Sequence, residues 1–153
     1  MIETLQDFAQ TFPAWLQWLA VVLIGAVPFV ESYTGTIIGV AIGLHPAVAA
    51  AAAIAGNAAS VVIVVAVVGQ LRTRRDAHRR SAPSPDSRIR RVFRRFGVPG
   101  VALLAHPTQI SAAAMVGFGA GRARVLAWEL VSVVSWGAVM AVLGGLGLHA
   151  LTA

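Results

Sequence analysis

The chain has 153 residues, of which 58% are apolar and 12% charged, with a mean hydropathy of +0.78 and a formal net charge of +6. That balance belongs to an integral membrane unit and leaves no room for a soluble catalytic domain beside it. Zero cysteines exclude disulfides, thiolate metal sites and a cysteine nucleophile.

The N-terminal segment carries Glu3 and Asp7 with no basic residue before the first apolar run, so it does not read as a cleaved signal peptide. Trp15 and Trp18 suit an interfacial aromatic belt. Two apolar pieces follow, Ala14 to Phe29 and Thr34 to Leu44, separated by Pro28 to Tyr33 with Glu31 at the break. The second piece makes only ~17 Å of helix, against a hydrocarbon core of roughly 30 Å. It cannot be the start of the next run, because a helix from Thr34 to Val68 would be about 52 Å long, and His45-Pro46 favours a boundary there. A re-entrant hairpin over about residues 14–44 is therefore expected, since broken backbone at membrane depth is tolerated where protein or a wet cavity shields it. Gly35, Gly39 and Gly43 recur every four residues and give α-helical neighbours a smooth stripe to approach. Residues 46–68 then form about 35 Å of helix, enough for a full span, with Asn57 near its middle.

The charge sits almost entirely between Gln70 and Phe96, where ten Arg and two Asp sum to +8 and leave −2 for the rest of the chain. A basic loop beside apolar spans marks the cytoplasmic side and favours anionic lipid over nucleic acid. Ser81 to Ser87 is a polar, proline-containing linker at its centre. Within residues 88–96, Ile89, Val92, Phe93 and Phe96 share one helical face, so this stretch is expected to lie along the membrane surface as an amphipathic helix. Arg88, Arg91, Arg94 and Arg95, with Arg122 and Arg124 further on, are the expected contacts to anionic headgroups.

Beyond the loop, Val98 to Ala105 and Ile110 to Ala120 are again short apolar pieces, split by His106-Pro107-Thr108-Gln109. They predict a second hairpin over about 98–121, entered from the cytoplasm, followed by a span over 125–148. Fixing the loop inside puts both termini outside. The fold class expected is an all-α integral membrane protein of two inverted repeats, residues 1–69 and 98–153 around the basic loop 70–97, each repeat a re-entrant hairpin plus one transmembrane helix. A shift of 78 residues superposes Glu31 on Gln109, Gly39 on Gly117, Gly43 on Gly121 and Asn57 on Ser135. Four spans with imperfect helices are the plainer alternative.

Glu31 is the leading site candidate. A carboxylate at membrane depth costs several kcal/mol unless paired, hydrated or protonated, so it suits proton coupling; a helix end in interfacial water is the alternative. His106 can partner it or bind phosphate, and can equally be a satisfied neutral imidazole. Tyr33 and Thr108 would help hold such a phosphate, and Gln109 with Thr108 can also bond freed backbone at the break. Asn57 fits an interhelical hydrogen bond or a substrate contact. Glu129, one turn past Arg124, is expected to pair with Arg122 or Arg124 at the inner interface, with Ser132, Ser135 and Trp136 along its face. The four His, at 45, 78, 106 and 149, lack metal-ligand spacing, and no Gly-Lys-Ser/Thr loop is present to bind ATP. No enzyme activity, metal or cofactor is expected.

The residues that carry these readings also form a recognisable set. Pro28-Phe-Val-Glu-Ser-Tyr-Thr-Gly35, Gly39, Gly56-Asn57, and Phe96-Gly-Val-Pro-Gly100 leading to His106-Pro-Thr-Gln109 resemble the bacterial small multi-drug export protein family, from about Val21 to Leu148. More loosely, Pro107 at a hairpin break, Gly117-Phe-Gly119 and Trp136-Gly137 are similar to the DedA group, whose members are implicated in flipping polyprenyl-phosphate and other lipids. The chain departs from the first pattern with Tyr33 in an arginine place and no proline between Pro28 and Pro46, and from the second with Leu104 and Ile110 where arginines stand. The resemblance implies a transport role in the bacterial inner membrane. Three functions follow as expectations: a gradient-driven exporter of small amphipathic molecules with a midplane site between the hairpin breaks, a flippase for lipid-phosphates, and a structural subunit of a cell-envelope complex. A homodimer or a membrane-protein partner is expected in each case, because one protomer is narrow for a sealed pathway.

Overall fold

A computed structural model describes the backbone of residues 1–76, 88–104 and 109–152, with side chains over 1–71, 89–104 and 109–147. Among the described residues every regular element is helical: α1 (Ile2–Gln10), a 3₁₀ turn (Ala14–Leu16), α2 (Gln17–Ala26), α3 (Glu31–Ala41), α4 (Pro46–Asp76), α5 (Arg88–Leu104), α6 (Gln109–Gly117) and α7 (Arg122–Thr152). Residues Pro46–Leu71 and Arg122–Gly147 are each long and apolar enough to cross a membrane, at ~39 Å of helix apiece. Ile63, Val67, Val142 and Leu146 stand exposed on them, a surface that water disfavours and lipid does not. The described residues thus form an all-helical fold with two helices suited to crossing a membrane.

Two compact units make up the chain, Met1–Ala59 with Val133–Ala153, and Ser60–Ser132. They do not follow chain order, because α4 and α7 each contribute one part to each unit.

In the first unit α1 is an element the apolar pattern did not announce. Its Ala9 is fully buried in a cluster with Ala20, Ile24, Val30 and Ile38, and Phe8 meets Phe12 edge to face at 5.3 Å. Pro13 follows its end, and the chain bends by 118° into the segment Ala14–Ala26. Two non-glycine residues stand in left-handed backbone here, Phe29 in the break between α2 and α3 at φ 74° and Glu31 as the first residue of α3 at φ 59°, a conformation costing ~1–3 kcal/mol per residue. Glu31 therefore opens α3 rather than sitting in the break, and α3 ends at Ala41, three residues short of the expected Leu44.

Close helix approach in this unit is built on glycine. A Cβ on Gly35 would stand 3.0 Å from the Ala53 methyl and one on Gly39 would stand 2.6 Å from that of Ala49, so those two members of the stripe bring α3 against α4. Gly43 does something else: at φ 97° it closes α3, with its N–H on the Val40 carbonyl and the Leu44 N–H on the Gly39 carbonyl, the Schellman arrangement. His45 then caps α4, its Nδ1 accepting from the Ala47 N–H at 3.3 Å, and Pro46 takes the first helical position, where no N–H is needed. The helix continues beyond the expected Val68 to Asp76, since Gln and Arg are good helix formers once the chain leaves the apolar stretch.

In the second unit α5 joins two helices across Gly97, whose φ of 67° and ψ of −159° are non-helical. The amphipathic helix over 88–96 and the apolar piece from Val98 are thus separate, as the sequence predicts, and Pro99 lies near the start of the latter. Phe93 packs on Phe118 with ring centroids 5.5 Å apart, and the Arg90 guanidinium lies 5.8 Å from the same ring. Helix α6 ends in a second Schellman arrangement: Gly119 at φ 105°, its N–H on the Val116 carbonyl, and the Ala120 N–H on the Met115 carbonyl.

Gly43 and Gly119 are 76 residues apart, as are Pro46 and Arg122 at the starts of the long helices, whereas Glu31 and Gln109 are 78 apart. Helix α6 is two residues shorter than α3, nine against eleven, which absorbs the difference. The matches of Gly39 with Gly117 and Gly43 with Gly121 therefore do not hold. A Cβ on Gly117 or Gly121 would meet nothing within 4 Å.

Candidate functional site

Buried polar side chains gather in two sets, one in each unit. The first set is Glu31, Ser32 and Thr36 on α3 with Asn57 on α4. Along α4 the buried residues Ala49, Ala53, Asn57, Val61 and Val65 recur every four positions, one continuous ridge, and Asn57 is the polar position within it. Ser32 and Thr36 share a face of α3 with Gly39 for the same reason. Ser32 Oγ donates to the Val133 carbonyl of α7 at 3.0 Å, and Thr36 Oγ1 donates back to the Ser32 carbonyl at 2.6 Å. These two hydroxyls pin the first turn of α3, and with it the backbone that carries Glu31. The side chain of Glu31 is 2% exposed, and its Oε2 finds no hydrogen-bond partner among the described residues. A buried polar atom without a partner costs ~1–3 kcal/mol, more for a charged group. Such an atom in a native protein calls for a functional account. Tyr33 is half-buried on the same turn.

The second set is Gln109 and Ser111 on α6 with Glu129 and Ser132 on α7. Sequence reasoning placed Glu129 at the inner interface beside Arg122 or Arg124. The structure buries Glu129 fully rather than leaving it at an interface, and its Oε1 accepts from Ser111 Oγ at 3.0 Å, while Ser132 Oγ donates to the Ala102 carbonyl at 2.7 Å. The spacing did contain the signal: Val125, Glu129, Ser132 and Val133 follow one helical face, and all four are buried. Ser135, matched to Asn57 in the sequence, is exposed.

The basic residues divide. Arg91, Arg94 and Arg95 are exposed on the amphipathic part of α5, with Arg95 over the Phe96 ring at 5.2 Å. Arg124 is exposed, and Arg122, also exposed, donates to the Gly69 carbonyl at 2.5 Å, which ties the start of α7 to α4. His106 and Thr108 lie outside the described residues, as does the side chain of Arg88 and the linker around Ser84. The structure thus brings Glu31, Tyr33 and Asn57 into one unit and puts Gln109 in the other.

An open groove of about 410 Å³ lies along α2 and α4, lined by Trp18, Val22, Val48 and the alanines between them. It presents no polar side chain apart from the indole N–H of Trp18. Among the described residues no group of three or more His, Asp or Glu is placed to hold a metal ion. Comparison with protein-family models, curated proteins and solved structures finds no match to this chain.

Proposed function

We propose that the protein is a small gradient-driven transporter of the bacterial inner membrane, with Glu31 as its coupling carboxyl. The observation that carries this reading is the buried, unpartnered Oε2 of Glu31 on a strained first turn between two helices of ten and eleven residues. Helices of that length reach about half the hydrocarbon core, which supports a re-entrant hairpin. The same order of short helix, glycine-closed short helix and 31-residue helix occurs twice, which supports two repeats. In the working cycle Glu31 takes a proton from one aqueous side, stays neutral while buried and releases it at the other. Asn57 and Tyr33 are the residues of that unit assigned to contact the substrate. The resemblance to the small multi-drug export family agrees with small amphipathic substrates.

Ethidium efflux from cells making the full chain tests the role of Glu31. Glu31→Gln is expected to abolish proton-coupled efflux and leave the helix content by circular dichroism unchanged; undiminished efflux would remove the reading. A second reading, transfer of lipid-phosphates, is favoured by the exposed Arg91, Arg94 and Arg95 beside Phe96, a surface suited to anionic headgroups. It predicts that Glu31→Gln stops headgroup translocation of a fluorescent anionic lipid in vesicles but not ethidium efflux. If neither assay responds and the chain is always isolated with another membrane protein, a structural subunit is the remaining reading.

The orientation belongs to the same proposal: basic loop inside, both termini outside. In this cysteine-free chain, Glu3→Cys is expected to react with impermeant thiol reagent on intact spheroplasts and Ser84→Cys only after permeabilisation. The reverse pattern would invert the assignment.

A further inference from the structure

We infer that α1 lies in the membrane interface as an apolar anchor and sets the depth of the α2–α3 hairpin, an inference that rests on reading α4 and α7 as membrane spans. On the helix, Ile2, Leu5, Phe8 and Ala9 share one side and Glu3, Gln6, Asp7 and Gln10 the other. The middle of the apolar side meets the protein: Ala9 is fully buried, and Leu5 packs on the cluster that holds Ile24 and Ile38. Its two flanks do not, since Ile2 is 49% exposed and Phe8 41%. A helix seated on the hairpin with apolar flanks left over on both sides fits a boundary where protein gives way to hydrocarbon. The 118° bend into Ala14–Ala26 sets α1 crosswise to the hairpin, and Trp15, 75% exposed, and Trp18 stand beside that bend. Indole rings, apolar in body with one N–H donor, belong at the headgroup boundary. Residues 1–59 contain no Arg or Lys, and the polar side of α1 carries Glu3 and Asp7, so the partner is hydrocarbon beneath a lipid surface and not an anionic headgroup.

Helix register converts this anchor into a depth. Trp18 lines one groove with Ala47 and Val48, so the start of α2 and the start of α4 stand at one level. Gly39 approaches Ala49 and Gly35 approaches Ala53, so α3 runs antiparallel to α4, and one further turn puts Glu31 level with Asn57. Asn57 is eleven residues past Pro46, about 17 Å of helix and half of a hydrocarbon core of roughly 30 Å. Helix α2, with ten residues, gives about 15 Å by the separate route through the hairpin. With α1 and the two tryptophans at the interface, the strained turn that carries Glu31 is held at mid-depth. The hairpin can sink no further, because the polar side of α1 stays in water.

The test places single spin labels on the cysteine-free full chain in phosphatidylcholine nanodiscs and measures collision with oxygen, which concentrates in hydrocarbon, and with a nickel chelate, which stays in water. Asp7→Cys is expected to meet the chelate severalfold more often than Phe8→Cys, and Phe8→Cys to meet oxygen more often than Asp7→Cys. Should Phe8→Cys fail to fold, Ile2→Cys on the other flank gives the same comparison. Val134→Cys, beside the carbonyl that Ser32 reaches and half-exposed, is expected to show the most oxygen and the least chelate of the set. Replacing part of the lipid with phosphatidylglycerol should leave the Phe8 values unchanged; a marked dependence would make the anchor electrostatic and overturn the inference. Flanks as open to the chelate as Asp7 would put α1 in water, and an Asp7 as shielded as Phe8 would put it inside protein or hydrocarbon; either result overturns it. A Val134→Cys open to the chelate removes the membrane reading itself, whereas an oxygen-rich Val134→Cys with water-exposed flanks on α1 removes the anchor alone.

Discussion

The two units solve one packing problem with different means. In the first, helices come together through glycine: a Cβ at Gly25 would stand 2.5 Å from the Ala53 carbonyl oxygen, and one at Gly56 would fall inside the Val22 carbonyl. In the second, side chains bridge the helices, Ser111 to Glu129, Ser132 to the Ala102 carbonyl, Arg122 to the Gly69 carbonyl and Phe93 to Phe118. Backbone against backbone leaves little freedom to adjust, whereas side chains that bridge helices can lengthen or rotate. The comparison teaches that Glu31 sits in the tighter frame, with its first turn held by Ser32 and Thr36, and that Glu129 is met by a side-chain hydroxyl, Ser111, from a neighbouring helix.

The strongest challenge to that contrast is Gly56→Val. It must displace α2 from α4, and overpacking of this kind costs typically ~1–3 kcal/mol and occasionally more; with backbone as the obstacle the upper end is expected, read as loss of the folded protein in thermal unfolding in detergent. Gly117→Ala, with nothing within 4 Å, is the control and should change stability by no more than about 0.5 kcal/mol. A tolerated Gly56→Val would mean that the first unit is not the tighter one.

An intermediate effect is expected of Gln109→Glu, which adds a second carboxyl to a buried set that already holds Glu129. Burying a further ionisable group is expected to cost ~1–3 kcal/mol, with the loss greater in alkaline buffer, where neutralising it is harder. Unfolding measured at two pH values checks both size and sign; a pH-independent loss would indicate a steric cause.

The smallest effect sharpens the likeness rather than the difference. Gly43→Ala and Gly119→Ala each force an alanine into left-handed backbone, at about 1–2 kcal/mol per site. If the two Schellman ends are equivalent, the two losses agree to within a few tenths of a kcal/mol in parallel thermal unfolding. A twofold disparity would show that only one of the two helix ends is held by its glycine.

Length and apolarity made the long helices legible, since Pro46 to Val68 and Val125 to Leu148 can be little else, and the change from an amphipathic face over 88–96 to an apolar piece from Val98 separated the two parts of α5. What they could not reveal was set by tertiary contact. Helix α1 carries Glu3, Gln6 and Asp7 and looks like a polar leader; only the fit of Ala9 into the hairpin core makes it part of the fold. The start of α3 at Glu31 depends on positive φ at two residues whose side chains give no hint of it. Among the site residues, Glu31 and Asn57 stood out as polar groups inside apolar runs. Glu129 was read from its neighbours in sequence, Arg122 and Arg124, which gave no hint of its contact with Ser111, eighteen residues away.

The bond from Ser32 to the Val133 carbonyl joins residues 101 apart, and this has a consequence for how the protein is made. At a synthesis rate of roughly 5–20 residues per second, the first hairpin is complete on the order of ten seconds before its partner on α7 leaves the ribosome. During that interval Ser32 has no α7 carbonyl to bond, and the unit that buries Glu31 lacks its part of α7. The insertion machinery must therefore shelter an unfinished polar hairpin until the last helix arrives.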